Sequence, residues 1–282
     1  MNINWYPGHM KKTKESIKKN LSLVDIVYEV IDARIPLSSQ NPDIDTIVSN
    51  KPRLIIMNKS DLADEESNKK WQSYFQEKGV PVIAVDSIRS RGLDDVINMS
   101  YVLTKEKIES LKARGVVKRP IRAMIIGIPN VGKSTLINSL SKRKGAKVGN
   151  KPGVTKANQW IKIKGDIELL DTPGILWPKF EDKDVGLNLG FTGAIRDELL
   201  DMEVLAMKLV EKLNLISTKL LENRYNISVK NKSSIDIILE IGRKRGCIIK
   251  GGEVDFEKAS KIILDEYRKG IIGRITLENP KE

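Results

Sequence analysis

The chain has 282 residues, enough for one large domain or two modest ones, and its 40% apolar and 30% charged residues allow a buried core and exclude a disordered polyelectrolyte. A single cysteine, Cys247, and a single histidine, His9, exclude an intramolecular disulfide and metal sites built from Cys or His clusters, and no stretch approaches the ~18 apolar residues of a membrane span. The net charge of +12 is concentrated, since Ser110 to Gly165 holds fourteen Lys or Arg and no Asp or Glu, a block that attracts the phosphate of a nucleotide or of RNA unless it is merely a solvated basic face.

Short Val- and Ile-rich runs bounded by Pro, Gly, Asn or Asp predict strands at Val24–Ile31, Arg53–Met57 and Val80–Val85, with a helix over Asp64–Lys78 between the last two. A helix over Leu93–Lys112 leads to a strand at Ile121–Ile126, a helix over Lys133–Ser141, and strands at Trp160–Ile163 and Ile167–Leu170. This alternation predicts an α/β fold over residues 1–179, with a doubly wound, mostly parallel sheet. Beyond it the strand pattern thins, and Met202–Leu213, Ser234–Lys244 and Phe256–Lys269 carry apolar residues at helical spacing. Residues 180–282 therefore read as a small all-α domain. MNINWYPGHMKK at the start has no apolar run that could serve as a signal peptide, so the expected setting is a soluble protein of the cytoplasm with no membrane partner.

Gly127-Ile-Pro-Asn-Val-Gly-Lys133-Ser134 joins a predicted strand to a predicted helix, as a phosphate loop must. Its glycines let successive N–H groups face phosphate, Lys133 reaches the β- and γ-phosphates, and Ser134 offers a hydroxyl to Mg²⁺. Asn130, Val131, Gly132, Lys133, Ser134 and Thr135 are the nucleotide-binding candidates here. The base is read by Asn58-Lys59-Ser60-Asp61 at the end of a strand. Asp61 can accept from the N1–H and N2–H₂ edge of guanine, which adenine lacks, and Lys59 can cover the ring. Asp86-Ser87, after the next strand, can turn backbone toward the base oxygen. Asp171-Thr-Pro-Gly174 matches the DxxG switch: Asp171 acts on Mg²⁺ through water and the Gly174 N–H senses the γ-phosphate. Thr155, in the Lys151-Pro-Gly-Val-Thr155 loop, can close on Mg²⁺ when γ-phosphate is present.

The order of these motifs is rotated. In an ordinary GTPase the phosphate loop comes first and NKxD late, whereas here NKSD precedes the phosphate loop and DTPG comes last. Each motif occurs once, so one sheet with its connections cut elsewhere accounts for all of them, and the nearby termini of such folds make that rewiring feasible. In this order the chain resembles the circularly permuted GTPases of the YlqF/YawG family over nearly its whole length. The likeness rests on Trp5-Tyr-Pro-Gly-His-Met10, Asp32-Ala-Arg-Ile-Pro36, NKSD, GIPNVGKS, PGVT, DTPGILWP and Thr192-Gly-Ala-Ile-Arg196.

The resemblance implies a GTP-hydrolysing factor acting late in assembly of the large (50S) ribosomal subunit, with a helical C-terminal domain on ribosomal RNA. Ile175 stands where Ras-like proteins place a water-orienting Gln. His9 is the candidate in its place: neutral imidazole can accept from water, and the resemblance implies that it acts when the ribosome engages it. Its other reading is a loop-packing or RNA-facing residue. Asn130 would help to hold K⁺ where an arginine finger would place its charge, or is simply a turn residue after Pro129. GTP and GDP, Mg²⁺ and K⁺ are the expected ligands, and the protein is expected to be a monomer. Two further readings are a nucleotide that tunes RNA affinity without turnover, and a GTPase serving another RNA.

Overall fold

The computed structural model describes residues 15, 17–48, 51–116, 119–141, 159–172 and 182–280. Its strands are β1 (Ile26–Asp32), β2 (Arg53–Asn58), β3 (Val82–Val85), β4 (Ile121–Gly127), β5 (Gln159–Ile163) and β6 (Ile167–Asp171). They form one sheet in the order β3-β2-β1-β4-β6-β5, parallel throughout except for β5, which pairs antiparallel with β6 at the edge. All of β1 is buried, as a strand covered on both faces requires. Between the strands lie α1 (Ile44–Val48), α2 (Glu65–Glu77), α3 (Leu93–Ala113) and α4 (Lys133–Leu140).

Side chains alternate along β1, and the helices follow the alternation. Val27 gathers with Ile44, Ile47 and Val48 of α1 and with Met124 and Ile126 of β4, while Ile31 gathers with Ile55, Met57, Trp71 and Phe75. Tyr28 points to the opposite face, where its hydroxyl meets that of Ser100 in α3 at 2.6 Å. The sequence-derived elements differ from these mainly at their ends. Pro81 has no N–H for the ladder, and β3 begins after it. In the other direction, β1, β2, β4 and β6 each continue one residue past their apolar run, onto Asp32, Asn58, Gly127 and Asp171. Helix α1 was not foreseen, since its five residues are too few to show a helical period.

One core residue runs against the apolar pattern. Glu29 of β1 is buried, with Oε2 3.4 Å from Arg53 Nη1 and accepting from Gln40 Nε2 at 3.3 Å, while Oε1 has no hydrogen-bond partner among the described residues. Burial pushes its pKa from 4.5 up to about 7, against the pull of Arg53. A raised folded-state pKa gives stability that is complete below the unfolded value and lost as pH rises through the folded one. Glu29→Gln should therefore match wild type near pH 4.5, gain on it up to about pH 7 and stay level above. The gain at pH 8 should be on the order of 3 kcal/mol, the rise from 4.5 to about 7 converted at about 1.4 kcal/mol per unit. Thermal melts at pH 5 and pH 8 check this, and an equal gain at both would show that Glu29 is not the titrating group.

The remaining helices are α5 (Lys183–Phe191), α6 (Met202–Ile216), α7 (Thr218–Tyr225), α8 (Ser234–Lys244) and α9 (Phe256–Arg268). Helix α6 packs on the other four. Asp182, Asp201, Ser233 and Asp255 cap the N-termini of α5, α6, α8 and α9 through their side chains. Helix α5 escaped the sequence reading because its two glycines weaken the helical signal. One has a packing reason: a Cβ at Gly190 would stand 3.0 Å from the Leu205 side chain. Arg224 makes a twin bond to Glu266 at 2.8 and 2.7 Å, and Arg245 joins the same carboxylate at 3.3 Å.

Contacts divide the chain into two compact units, Asn4–Lys179 with Glu278–Glu282, and Met1–Ile3 with Phe180–Leu277. In this division Glu278 groups with the first unit, where it bonds to Leu37, Ser38 and Trp71. Among the described residues no helix is long and apolar enough to cross a membrane.

Candidate functional site

The strand order reverses direction between β1 and β4, because β1 continues to β2 and β3 on one side and β4 to β6 on the other. Ligands of open parallel sheets bind at such a switch point, beyond the carboxyl ends of the strands. Gly127 ends β4 there. A Cβ on it would stand 2.5 Å from the Val30 carbonyl oxygen, so only glycine can leave the sheet this close to β1. Asn130 and Gly132 follow with φ of 58° and 97°. Left-handed residues alternating with ordinary ones curl the backbone into an anion-binding nest. Helix α4 then starts at Lys133, and the N–H groups of its first turn, from Lys133, Ser134 and Thr135, have no acceptor within the helix.

The Lys133 ammonium lies inside this loop, donating to the carbonyls of Gly127 and Ile128 at 2.9 Å each. Burial pulls its pKa down to about 8, with the Asp171 charge acting in the other direction. A phosphate group in the loop would supply the opposite charge that this ammonium lacks. Val131 is buried beneath the loop.

The base motif reaches the phosphate loop directly, although about seventy residues of chain separate them. Asn58 Nδ2 donates to the Val131 carbonyl at 2.9 Å, and Ser87 Oγ donates to Asn58 Oδ1 at 2.6 Å. Lys59 stands at φ 60° and donates to the Asn130 carbonyl at 2.7 Å and to Asp32 Oδ2 at 3.0 Å. Ser60 ties the motif to its neighbours, its N–H donating to the Val85 carbonyl and its carbonyl accepting from Asn68 Nδ2. Asp86 turns its carboxylate onto the N–H groups of Ile88 and Arg89, at 3.0 Å each, and so shapes the turn that presents Ser87. The Ser87 carbonyl accepts from Ser139 Oγ of α4 at 2.6 Å.

Asp171 ends β6 in register with Ile125 of β4, and Thr172 beside it donates from Oγ1 to the Ile125 carbonyl. Asp171 therefore lies one strand from the phosphate loop, within electrostatic reach of Lys133. No group of three His, Cys, Asp or Glu side chains that could hold a metal occurs among the described residues. The set present, one carboxylate and the hydroxyl of Ser134, fits Mg²⁺, a hard cation usually held by one or two protein oxygens together with substrate phosphates. Bound there, Mg²⁺ supplies positive charge to the phosphate oxygens. His9, Thr155 and Gly174 lie outside the described residues.

A family model described as a 50S ribosome-binding GTPase matches residues 122–239, starting in β4 just before the phosphate loop. Ribosome biogenesis GTPase A of Bacillus cereus is 46% identical over 282 residues, covering all of this chain and 95% of that one. The chain belongs to the ribosome biogenesis GTPase A family. The protein of that name from Thermotoga maritima is 33% identical over 284 residues, with 99% of this chain and 95% of that one covered. Two solved structures of YlqF, one bound to GDP and one, from Thermotoga maritima, bound to GNP, each align with a TM-score of 0.66 at 29% identity. They cover 95% and 96% of this chain and 100% and 99% of theirs. The chain is thus a GTPase with an α/β GTPase domain, and GTPases generally use Mg²⁺ with GTP.

Within this GTPase the structure adds three site residues that motif reading assigned no role. Arg89 Nη1 bridges Asp61 Oδ2 at 2.8 Å and Asp86 Oδ2 at 2.9 Å, fixing the Asp61 carboxylate to the neighbouring turn. Asp32 and Arg34 form a buried pair, with Arg34 Nε and Nη2 donating to the two Asp32 oxygens at 2.9 and 2.8 Å. Burial alone would raise the Asp32 pKa, but the charges of Arg34 and Lys59, and bonds from both, hold it far below the usual carboxylate range. The available signal was position: Asp32 pairs with Asn58 across β1 and β2, so the two strands end together.

Proposed function

We propose that this GTPase is an assembly factor acting late in maturation of the large (50S) ribosomal subunit, binding ribosomal RNA and released or reset by ribosome-stimulated GTP hydrolysis. The observation that carries the nucleotide part is the pair of bonds from Asn58 and Lys59 to the carbonyls of Val131 and Asn130, which joins base motif and phosphate loop into one site. The ribosomal part rests on the names of its relatives. In this reading Asp61 accepts from guanine, with Asn58, Ser60, Asp86 and Ser87 shaping the base site. The phosphates lie against Lys133 and the backbone of Asn130–Thr135. Ser134, Thr155 and, through water, Asp171 serve Mg²⁺, and the Gly174 N–H senses the γ-phosphate. Asn130, exposed at the loop tip, helps to hold K⁺. RNA meets the basic block of Ser110–Gly165 and the exposed Arg243 and Lys244. The protein works as a monomer in the cytoplasm.

Sedimentation with ribosomal subunits tests this reading. The protein should travel with large subunits, more of it with a non-hydrolysable GTP analogue than with GDP, and equal partition to small subunits would refute it. His9 is the proposed water-orienting residue. His9→Ala should leave GTP affinity intact and lower subunit-stimulated turnover about a hundredfold, the lower end for a positioned acid–base group. Stimulated turnover within about twofold of wild type would remove that role.

A further inference from the structure

We propose that Glu278 is a positioning residue of the nucleotide site, acting on Lys59 through the loop that follows β1. The inference rests on the reading of Lys59 as part of the guanine site. Glu278 lies 240 residues along the chain from Ser38, yet its carboxylate accepts from the Leu37 N–H at 2.8 Å, from the Ser38 N–H at 3.1 Å and from the Ser38 hydroxyl. Its carbonyl accepts from Trp71 Nε1 at 3.2 Å. Bonds from neutral donors to a carboxylate are among the stronger ones a protein makes. They hold a two-turn loop. Ser39 Oγ accepts from the Asp32 N–H at 2.9 Å and donates to the Ile35 carbonyl at 2.7 Å, while the Ile35 N–H returns to the Asp32 carbonyl.

That loop is tied to a residue that carries buried charge. Arg34 is 1% exposed and grips both oxygens of Asp32, one of which also accepts from Lys59 at 3.0 Å. Two cations thus share one buried carboxylate, an arrangement that tolerates no loosening, because water entering the group weakens every pairing in it. A lysine side chain is flexible, and its direction is fixed by its partners. Asp32 aims Lys59 toward the Asn130 carbonyl of the phosphate loop, Arg34 fixes the Asp32 carboxylate, and the 35–39 loop fixes the Asp32 backbone through Ser39 and Ile35. Glu278 pins that loop by two consecutive backbone N–H groups and by the Ser38 hydroxyl.

The test is release of fluorescently labelled GDP from the full chain, chased by excess GDP. Glu278→Ala should speed release roughly tenfold, the scale of losing a part-buried charged partner, and Glu278→Gln less, since the amide oxygen still accepts. In a Lys59→Ala background Glu278→Ala should add under about twofold, because residues acting through one another are not additive. If Lys59→Ala by itself leaves release unchanged, the guanine-site reading fails. If it speeds release and Glu278→Ala stays within about twofold of wild type, or multiplies the Lys59→Ala effect in full, the clasp alone is overturned. Should circular dichroism show Glu278→Ala unfolded, Ser38→Ala decides: it removes only the hydroxyl bond and should still speed release about two- to threefold, and no change refutes the proposal.

Discussion

Asp61→Asn is expected to weaken GTP binding about 10³-fold and to improve binding of XTP. The carboxylate stands 18% exposed at the end of the base motif, its Oδ2 already fixed by Arg89 at 2.8 Å. Guanine offers it two adjacent donors. An asparagine in the same place presents one acceptor and one donor, so one base N–H is left facing an N–H. Losing a charged hydrogen bond costs about 1.5–3 kcal/mol and an unsatisfied buried donor about 1–3 more, which together give the expected factor. Xanthine carries a carbonyl where guanine carries the amine, and it accepts from the new amide. Competition binding of GTP and XTP reads both changes. Arg89 retains Asp86 at 2.9 Å in the variant, so the turn presenting Ser87 should survive and the loss should be one of base recognition. Unchanged GTP affinity with no gain for XTP would remove Asp61 from the base site.

What was legible beforehand follows from how each feature is encoded. Parallel strands buried on both faces are largely apolar runs, and the parallel strands could be placed from such runs, whereas β5, antiparallel at the edge, was placed from the shorter Trp160–Ile163 with its exposed Lys162. The site, however, is made by the residue after each run: Asp32, Asn58, Asp86, Gly127 and Asp171 stand where strands end. Motif spacing exposed Asn58, Gly127 and Asp171, because a phosphate loop or an NKxD sequence is local. Asp32 and Arg34 were visible as part of a resemblance without a role. Their partner, Lys59, is 27 residues away from Asp32, and only strand pairing brings the two within 3.0 Å. Arg89 and Glu278 carry no local signal at all: an exposed arginine in a turn and a glutamate near the end of the sequence look like solvated charges until the contacts are known. The helical unit shows the same division. Helices α8 and α9, with one strongly apolar face each, were placed within a residue of their ends, whereas α5, with Gly186 and Gly190, was not. Short helices and glycine-mediated packing depend on what they touch, and periodicity does not contain that.

Gly132→Ala should reduce nucleotide affinity about as much as the loss of Asp61, roughly 10³-fold, and for a different reason. Gly132 has φ 97°, a region L-residues rarely enter, and left-handed backbone costs a residue with a Cβ about 1–2 kcal/mol. Space is the larger obstacle. A Cβ on Gly132 would overlap Asn58 Nδ2, the atom that donates to the Val131 carbonyl at 2.9 Å. Asn58 is buried and cannot swing away, since its Oδ1 accepts from Ser87 at 2.6 Å. Either the phosphate loop opens or the asparagine leaves, and each outcome separates the phosphate site from the base motif. Breaking one or two buried hydrogen bonds adds about 1–3 kcal/mol apiece to the backbone strain. Gly79→Ala is the control. It also sits in left-handed backbone, at φ 72°, but nothing lies within 4 Å of the added methyl. It should lower stability by about 1 kcal/mol and leave GDP binding at the wild-type level. Isothermal titration of both variants with GDP separates the two effects. Wild-type affinity in Gly132→Ala would mean that Asn58 does not hold the phosphate loop, and that the two halves of the nucleotide site, brought together by the permuted chain, are joined by some other contact.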